Sequence, residues 1–287
     1  MNKFKKIIIA ALSLLMTFIC TISFVGCGKD IREVDIKISI YNFSKSKYED
    51  YSMDIELYGH LAPETVSQIS KLIKSGYYDN TVFYKLQGRE DQFMLGDLKY
   101  DPNSEDPTIQ ANCGFYLNDE KPTIKGEFKQ GGTTGSNLKN KLGSIGLWRT
   151  WTAQDSSFNE GSTGTDTGSA TWFIPTRGLS EYNDYFCVFA QYEYDGDNEE
   201  TIDALKDLFA TTSRYQEFVI YYTGEYGDLT FHCVKAEDFE ARKDEIVDLF
   251  KAEEGSSQLV RYNHYTIKVP MTTDGRVAAS IVRAKMK

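Results

Sequence analysis

Between Val34 and Ile40 every second residue is apolar: Val34, Ile36, Ile38 and Ile40 alternate with Asp35, Lys37 and Ser39. A period of two fits a strand with one face in a core and the other in water, and does not fit a helix. The pattern returns within Ser52–Tyr58 through Met53, Ile55 and Leu57. Polar Tyr48–Ser52 between them reads as a turn, so the two predicted strands should pair antiparallel. A helix is expected next. Pro63 sits at its start, Val66, Ile69, Leu72 and Ile73 fall at helical spacing, and Gly76 follows its end. Thr81–Leu86 reads as a further strand.

The amino terminus obeys other rules. Lys3, Lys5 and Lys6 precede an almost wholly apolar run, Ile7–Val25, as in a secretory leader. Phe24-Val25-Gly26-Cys27 resembles the lipobox of bacterial lipoproteins, with Phe24 where an aliphatic residue is usual. That resemblance implies cleavage before Cys27 and a lipid on its sulfur. Residues 1–26 then form the leader, 27–33 a lipidated tether and 34–287 the folded domain, held at the extracytoplasmic face of the cell membrane. An uncleaved anchor is the alternative. Each buried acyl CH₂ contributes about 0.8 kcal/mol, so two or three chains hold a protein stably. The net charge of -10 argues against a nucleic-acid partner.

Three cysteines remain beyond the tether, Cys113, Cys187 and Cys233, which permits at most one intramolecular disulfide. Cys187, inside Tyr185–Phe189, is expected as a small buried apolar residue. His60, His232 and His264 are scattered, no CxxC occurs, and Asp195–Glu200 lacks the spacing of a calcium loop. Neither a metal nor a cofactor is expected. Lys129–Thr167 reads as two long loops around a strand at 142–148. Glu199–Leu208 and Lys235–Glu254 read as helices, and Tyr265–Val269 and Val277–Arg283 as strands.

Several of these pieces, taken in order, resemble the cyclophilins. They are Met53–Tyr58, Ala62-Pro63-Glu-Thr-Val66, Gly76-Tyr77-Tyr78-Asp79, Thr81-Val-Phe83-Tyr84-Lys85 and Gly96-Asp97. Ile124–Phe128, Leu142–Leu147, Ala170–Ile174 and Tyr185–Ala190 follow. The resemblance implies a mainly β fold, a closed eight-stranded antiparallel barrel capped by two helices. Residues 210–262 then form an α/β insertion. It also implies a monomeric peptidyl-prolyl cis-trans isomerase working without a cofactor. Its partners would be proline-containing segments of exported proteins, bound in a groove outside the barrel.

Carried over by position, Phe173 is the aromatic at the base of the proline pocket and Leu147 an apolar wall. Phe83 lies two residues before the catalytic arginine position, which is Lys85. Met94 occupies the place of a groove glutamine, Tyr182 lies near the rim, and Phe186 stands where the family has histidine. Lysine keeps the charge of arginine but not its planar fork of donors. Arg89, in the extra segment Gln87–Asp91, is a displaced guanidinium that could serve instead. Retained isomerase activity and a non-catalytic peptide-binding chaperone or scaffold both fit this altered set. Tyr221, Tyr222 and Tyr226 either border the groove or belong to an insertion that packs on the barrel's outside.

Overall fold

The computed structural model describes residues 29–119, 121–129, 138–149, 166–225, 228–244 and 264–287. Ile31–Lys287 forms one compact unit. The leader and Cys27 lie outside the described residues, and among those described no helix is long and apolar enough to cross a membrane.

Mainly β structure is what the residues form. The strands are β1 (Ile31–Asn42), β2 (Lys47–Tyr58), β3 (Tyr84–Leu86), β4 (Arg89–Leu95), β5 (Leu98–Tyr100), β6 (Phe115–Leu117) and β7 (Ser144–Leu147). They continue with β8 (Trp172–Pro175), β9 (Val188–Gln191), β10 (Tyr215–Glu225), β11 (Asp228–Lys235), β12 (His264–Pro270) and β13 (Ala279–Met286). The helices are α1 (Pro63–Lys74), α2 (Pro107–Ala111), α3 (Gly196–Phe209) and α4 (Ala236–Ala241). One antiparallel sheet runs in the order β11-β10-β12-β3-β4-β8-β7-β9-β2-β1-β13, and β5 pairs with β6 beside it.

The ladders leave this sheet open, ending at β11 and β13, and do not draw the closed ring of eight. The residues just before β3 nevertheless meet β13. Val82 bridges Ser280, Ile281 N donates to Thr81 O at 2.9 Å, and Phe83 N donates to Ala279 O at 3.2 Å.

The alternation in β1 works as its pattern requires. Val34, Ile36, Ile38 and Ile40 are all buried, with the β2 side chains Met53, Ile55 and Leu57 in the same core. The turn between these strands differs from expectation. Tyr48–Ser52 is strand, and the chain reverses at Phe43–Ser46, where Asn42 Oδ1 accepts from Ser44 N and Lys45 N. Tyr41 and Tyr48 face each other across the hairpin at 5.1 Å, and that cross-strand aromatic pair outweighs the polar local sequence.

Helix α1 contributes Val66, Ile69, Leu72 and Ile73 to the core, and α3 contributes Ile202, Leu205 and Leu208. The residue before Pro63 is Ala62, which has no capping side chain. Buried Glu127 supplies the missing acceptors from far along the chain, taking Glu64 N at 3.0 Å and Thr65 N at 2.8 Å.

The expected helix over Lys235–Glu254 is shifted at its start. Cys233, Val234 and Lys235 are strand, paired with Ile220, Val219 and Phe218, while Ala236–Ala241, Lys243 and Asp244 are helical with a turn at Arg242. Long-range pairing with β10 decides the state of this segment. Residues 245–263 lie outside the described set.

Candidate functional site

Four of the six expected pocket residues meet in one buried cluster: Met94, Phe173, Tyr182 and Phe186. Strand register brings the first two together. Met94 pairs with Phe173 between β4 and β8, and Phe173 pairs with Gly146 on β7. Gly146 is required here, because an added Cβ would lie 2.2 Å from Phe173 Cζ. Tyr182 and Phe186 arrive on a turn in which Phe186 N donates to Tyr182 O at 3.1 Å, which puts the two rings 4.8 Å apart. Phe173 meets Phe186 edge-on at 5.3 Å and Tyr182 edge-on at 5.8 Å. These are favourable arrangements for ring quadrupoles.

Phe83 and Leu147 fall elsewhere. Both pack in the main core with the β1 and β2 side chains, away from that aromatic group. Lys85 also points away from it. Alternation along β3 sends Tyr84 and Leu86 toward Met94 and Phe173, while Lys85 turns to the opposite side. There its Nζ donates to Glu90 O at 2.6 Å and lies 4.9 Å over Phe93 and 5.0 Å over Phe209. Burial holds this amine below the ordinary lysine value, although Asp91 and Glu90 oppose the shift.

The guanidinium that reaches the aromatic group belongs to Arg89, the first residue of β4. It stands 5.5 Å over the Trp148 ring and 5.7 Å over Tyr182, and its Nη1 donates to the Tyr182 hydroxyl. Burial raises Tyr182 above the usual phenol value, and the Arg89 charge works against that shift. A hairpin turn places Arg89 here, with Gly88 at φ +79° and Arg89 opposite Leu86.

Two participants are not among the residues carried over by position. The Trp148 ring stacks on Phe186 at 5.2 Å and 17° and meets Phe173 edge-on at 6.0 Å. Gln92 is buried, two residues before Met94 and therefore on the same face of β4. Its Nε2 lies 3.3 Å from Met94 Sδ, and its Oε1 has no hydrogen-bond partner. Period-two spacing from Met94 was the signal that could have identified it.

The segment after α3 covers part of the same face. Phe218 and Ile220 of β10 are buried in the cluster that holds Phe173. Tyr221 points the other way, stacking on His232 at 4.7 Å and packing on Phe239. The Tyr222 hydroxyl lies 3.5 Å from that of Tyr265, and Tyr226 is outside the described residues. Nearby, Tyr84 donates to both carboxylate oxygens of Asp97 at 3.0 Å. Cys187 is buried in the main core, 3.6 Å from Thr65 Oγ1, and burial pushes its thiol up to about 12. Among the described residues, no group of three or more His, Cys, Asp or Glu side chains is placed to hold a metal ion.

Residues 43–225, more than half of the chain, match the family model described as cyclophilin type peptidyl-prolyl cis-trans isomerase/CLD. No curated protein matches the sequence. Among solved structures, a Cryptosporidium parvum cyclophilin type peptidyl-prolyl cis-trans isomerase is similar at 18% identity and a TM-score of 0.39, covering 64% of this chain and 88% of that one. The same protein in the presence of the dipeptide Ala-Pro is similar at 20% identity and a TM-score of 0.36, covering 62% of this chain and 89% of that one.

Proposed function

We propose, from the premise that the chain belongs to the cyclophilin-type peptidyl-prolyl cis-trans isomerase family, that it turns X-Pro bonds in exported proteins at the outer face of the membrane. Lipid on Cys27 would hold it there as a monomer. In this reading the sheet works as the family's barrel, joined where Val82 meets Ser280, and the groove lies on its outer face.

The reaction rotates one amide and breaks no covalent bond. Its uncatalysed barrier is about 18–20 kcal/mol, because planarity must be lost. A catalyst needs an apolar seat for the proline ring and a donor for the twisted amide. Phe173, Phe186, Tyr182 and Met94 supply the seat. Arg89 supplies the donor, and its position over the rim aromatics is the observation that carries this reading. A guanidinium is a rigid, permanently charged fork, and the Tyr182 hydroxyl fixes its orientation. No cofactor is required by this chemistry.

A second reading, a peptide-binding barrel with little catalysis, is favoured by Met94 and Phe186 standing where the resemblance puts glutamine and histidine. A proline-peptide isomerisation assay separates the two. Removing one preorganised donor costs on the order of 10²–10³ in kcat. Arg89→Ala should therefore lower kcat/KM by about that factor, with partial recovery in Arg89→Lys, and Lys85→Ala should stay within about threefold. No acceleration by the folded parent protein overturns the isomerase reading, and saturable peptide binding without acceleration supports the second.

A further inference from the structure

The seat for the proline ring is filled by the protein itself. Phe173 and Met94 are 0% exposed and Phe186 only 2%, so a peptide arriving at this conformation meets no apolar floor. Phe218 and Ile220 of β10 cover part of that floor, and Trp148 covers its Phe173 and Phe186 rings. The indole lies flat on Phe186 and edge-on to Phe173, and the Arg89 guanidinium stands 5.5 Å over it. Beside Met94, Gln92 keeps a buried amide oxygen with no donor. A buried polar atom in that state is destabilising, and an entering peptide N–H would satisfy it.

We infer that Trp148 is the residue that governs access to the proline pocket: its indole occupies the seat at rest and swings out when an X-Pro peptide takes its place. This rests on the reading of the cluster as the proline site. The strands need not move. Trp148 N is held by Thr171 O at 2.8 Å, so the backbone stays in register and only the side chain turns. Arg89 contacts both the indole and Tyr182, so losing the indole leaves the guanidinium on Tyr182, where it meets the amide. Binding that waits for a minor open state is weakened by the population of that state. An open fraction of about 1–10% weakens apparent affinity about tenfold to a hundredfold.

The test uses the full chain with a proline-containing tetrapeptide, in parent, Trp148→Ala and Trp148→Phe forms. Trp148→Ala should bind at least tenfold more tightly than the parent, with Trp148→Phe between them. A folded Trp148→Ala that binds equally or less tightly overturns the inference. A second measurement needs no pocket variant to be stable. With 5-fluorotryptophan in the parent chain, the Trp148 fluorine signal should be shielded from a soluble paramagnet when free and exposed at saturating peptide. A signal that stays shielded while peptide is bound overturns the inference and leaves the isomerase reading intact. Tight binding by Trp148→Ala with no rate acceleration keeps the gate and removes the isomerase. Absence of peptide binding in parent and variant alike removes both.

Discussion

Gly146→Ala tests the architecture of the pocket with one methyl group. The added Cβ would stand 2.2 Å from Phe173 Cζ, 2.3 Å from Cε1 and 2.9 Å from Cε2. Ordinary carbon contacts begin near ~3.5 Å, so the ring must retreat by more than about 1 Å or the β7–β8 pairing must open. Phe173 is 0% exposed, enclosed by Trp148, Tyr182 and Phe186, and has no vacant side to enter. Overpacking of this kind costs about 1–3 kcal/mol. Replacing glycine lowers the entropy of the unfolded chain and returns about 0.4–1 kcal/mol. The net loss is about 1–2 kcal/mol, a fall in Tm of about 2–8 °C for a domain of this size. The assay is thermal unfolding followed by circular dichroism, with Gly178→Ala as control. Nothing lies within 4 Å of a Cβ at Gly178, so only the unfolded-chain gain applies and its Tm should rise by about 1–4 °C. Gly146→Ala should also impair peptide binding, because Phe173 is displaced from the seat. A Tm for Gly146→Ala no lower than that of Gly178→Ala, with peptide binding intact, would refute the placement of Phe173 across the glycine.

Other positions offer independent checks. Glu127→Ala removes the two acceptors at the start of α1 and should cost on the order of 2 kcal/mol, read as a lower urea midpoint with an unchanged slope. A Glu127→Ala chain as stable as the parent would show that solvent caps this helix equally well. Burial raises the Asp97 carboxyl above 3.8, with the Tyr84 hydroxyl opposing. The folded chain therefore keeps this proton to higher pH than the unfolded chain. Its stabilising contribution is complete below the unfolded value and is lost as pH rises through the folded one. Urea midpoints of parent and Asp97→Asn should diverge over that interval, and parallel curves would contradict the shift. The Glu49 carboxyl, hydrogen-bonded by Lys45 and Asn42, should titrate near 2 by NMR, and an ordinary value would remove that arrangement.

Local pattern determined a large part of this protein. The alternation of Val34–Ile40 has one low-energy solution, a strand with its apolar face inward, and those residues are buried as that solution requires. Pro63, the apolar spacing after it and Gly76 likewise delimit α1 without reference to the rest of the chain. Ordered motifs were enough to indicate the family, and residues 43–225 match its model. What the local pattern left open was decided by partners far away in the chain. Lys235 belongs to a strand because Phe218 pairs with it, and the cap of α1 comes from Glu127 because Ala62 has no acceptor of its own. The site follows the same division. Position in the motifs indicated Phe173, Met94, Tyr182 and Phe186, all on regular or tightly turned backbone. It did not indicate which cation meets them, because Lys85 and Arg89 flank one short hairpin and differ in which face their backbone presents. Only the β3–β4 register sends Lys85 to Phe93 and Arg89 to Trp148 and Tyr182. The place of Trp148 was similarly invisible. A single tryptophan at the end of a strand has no period, and its ring lies in the pocket only because β7, β8 and the turn carrying Phe186 converge there.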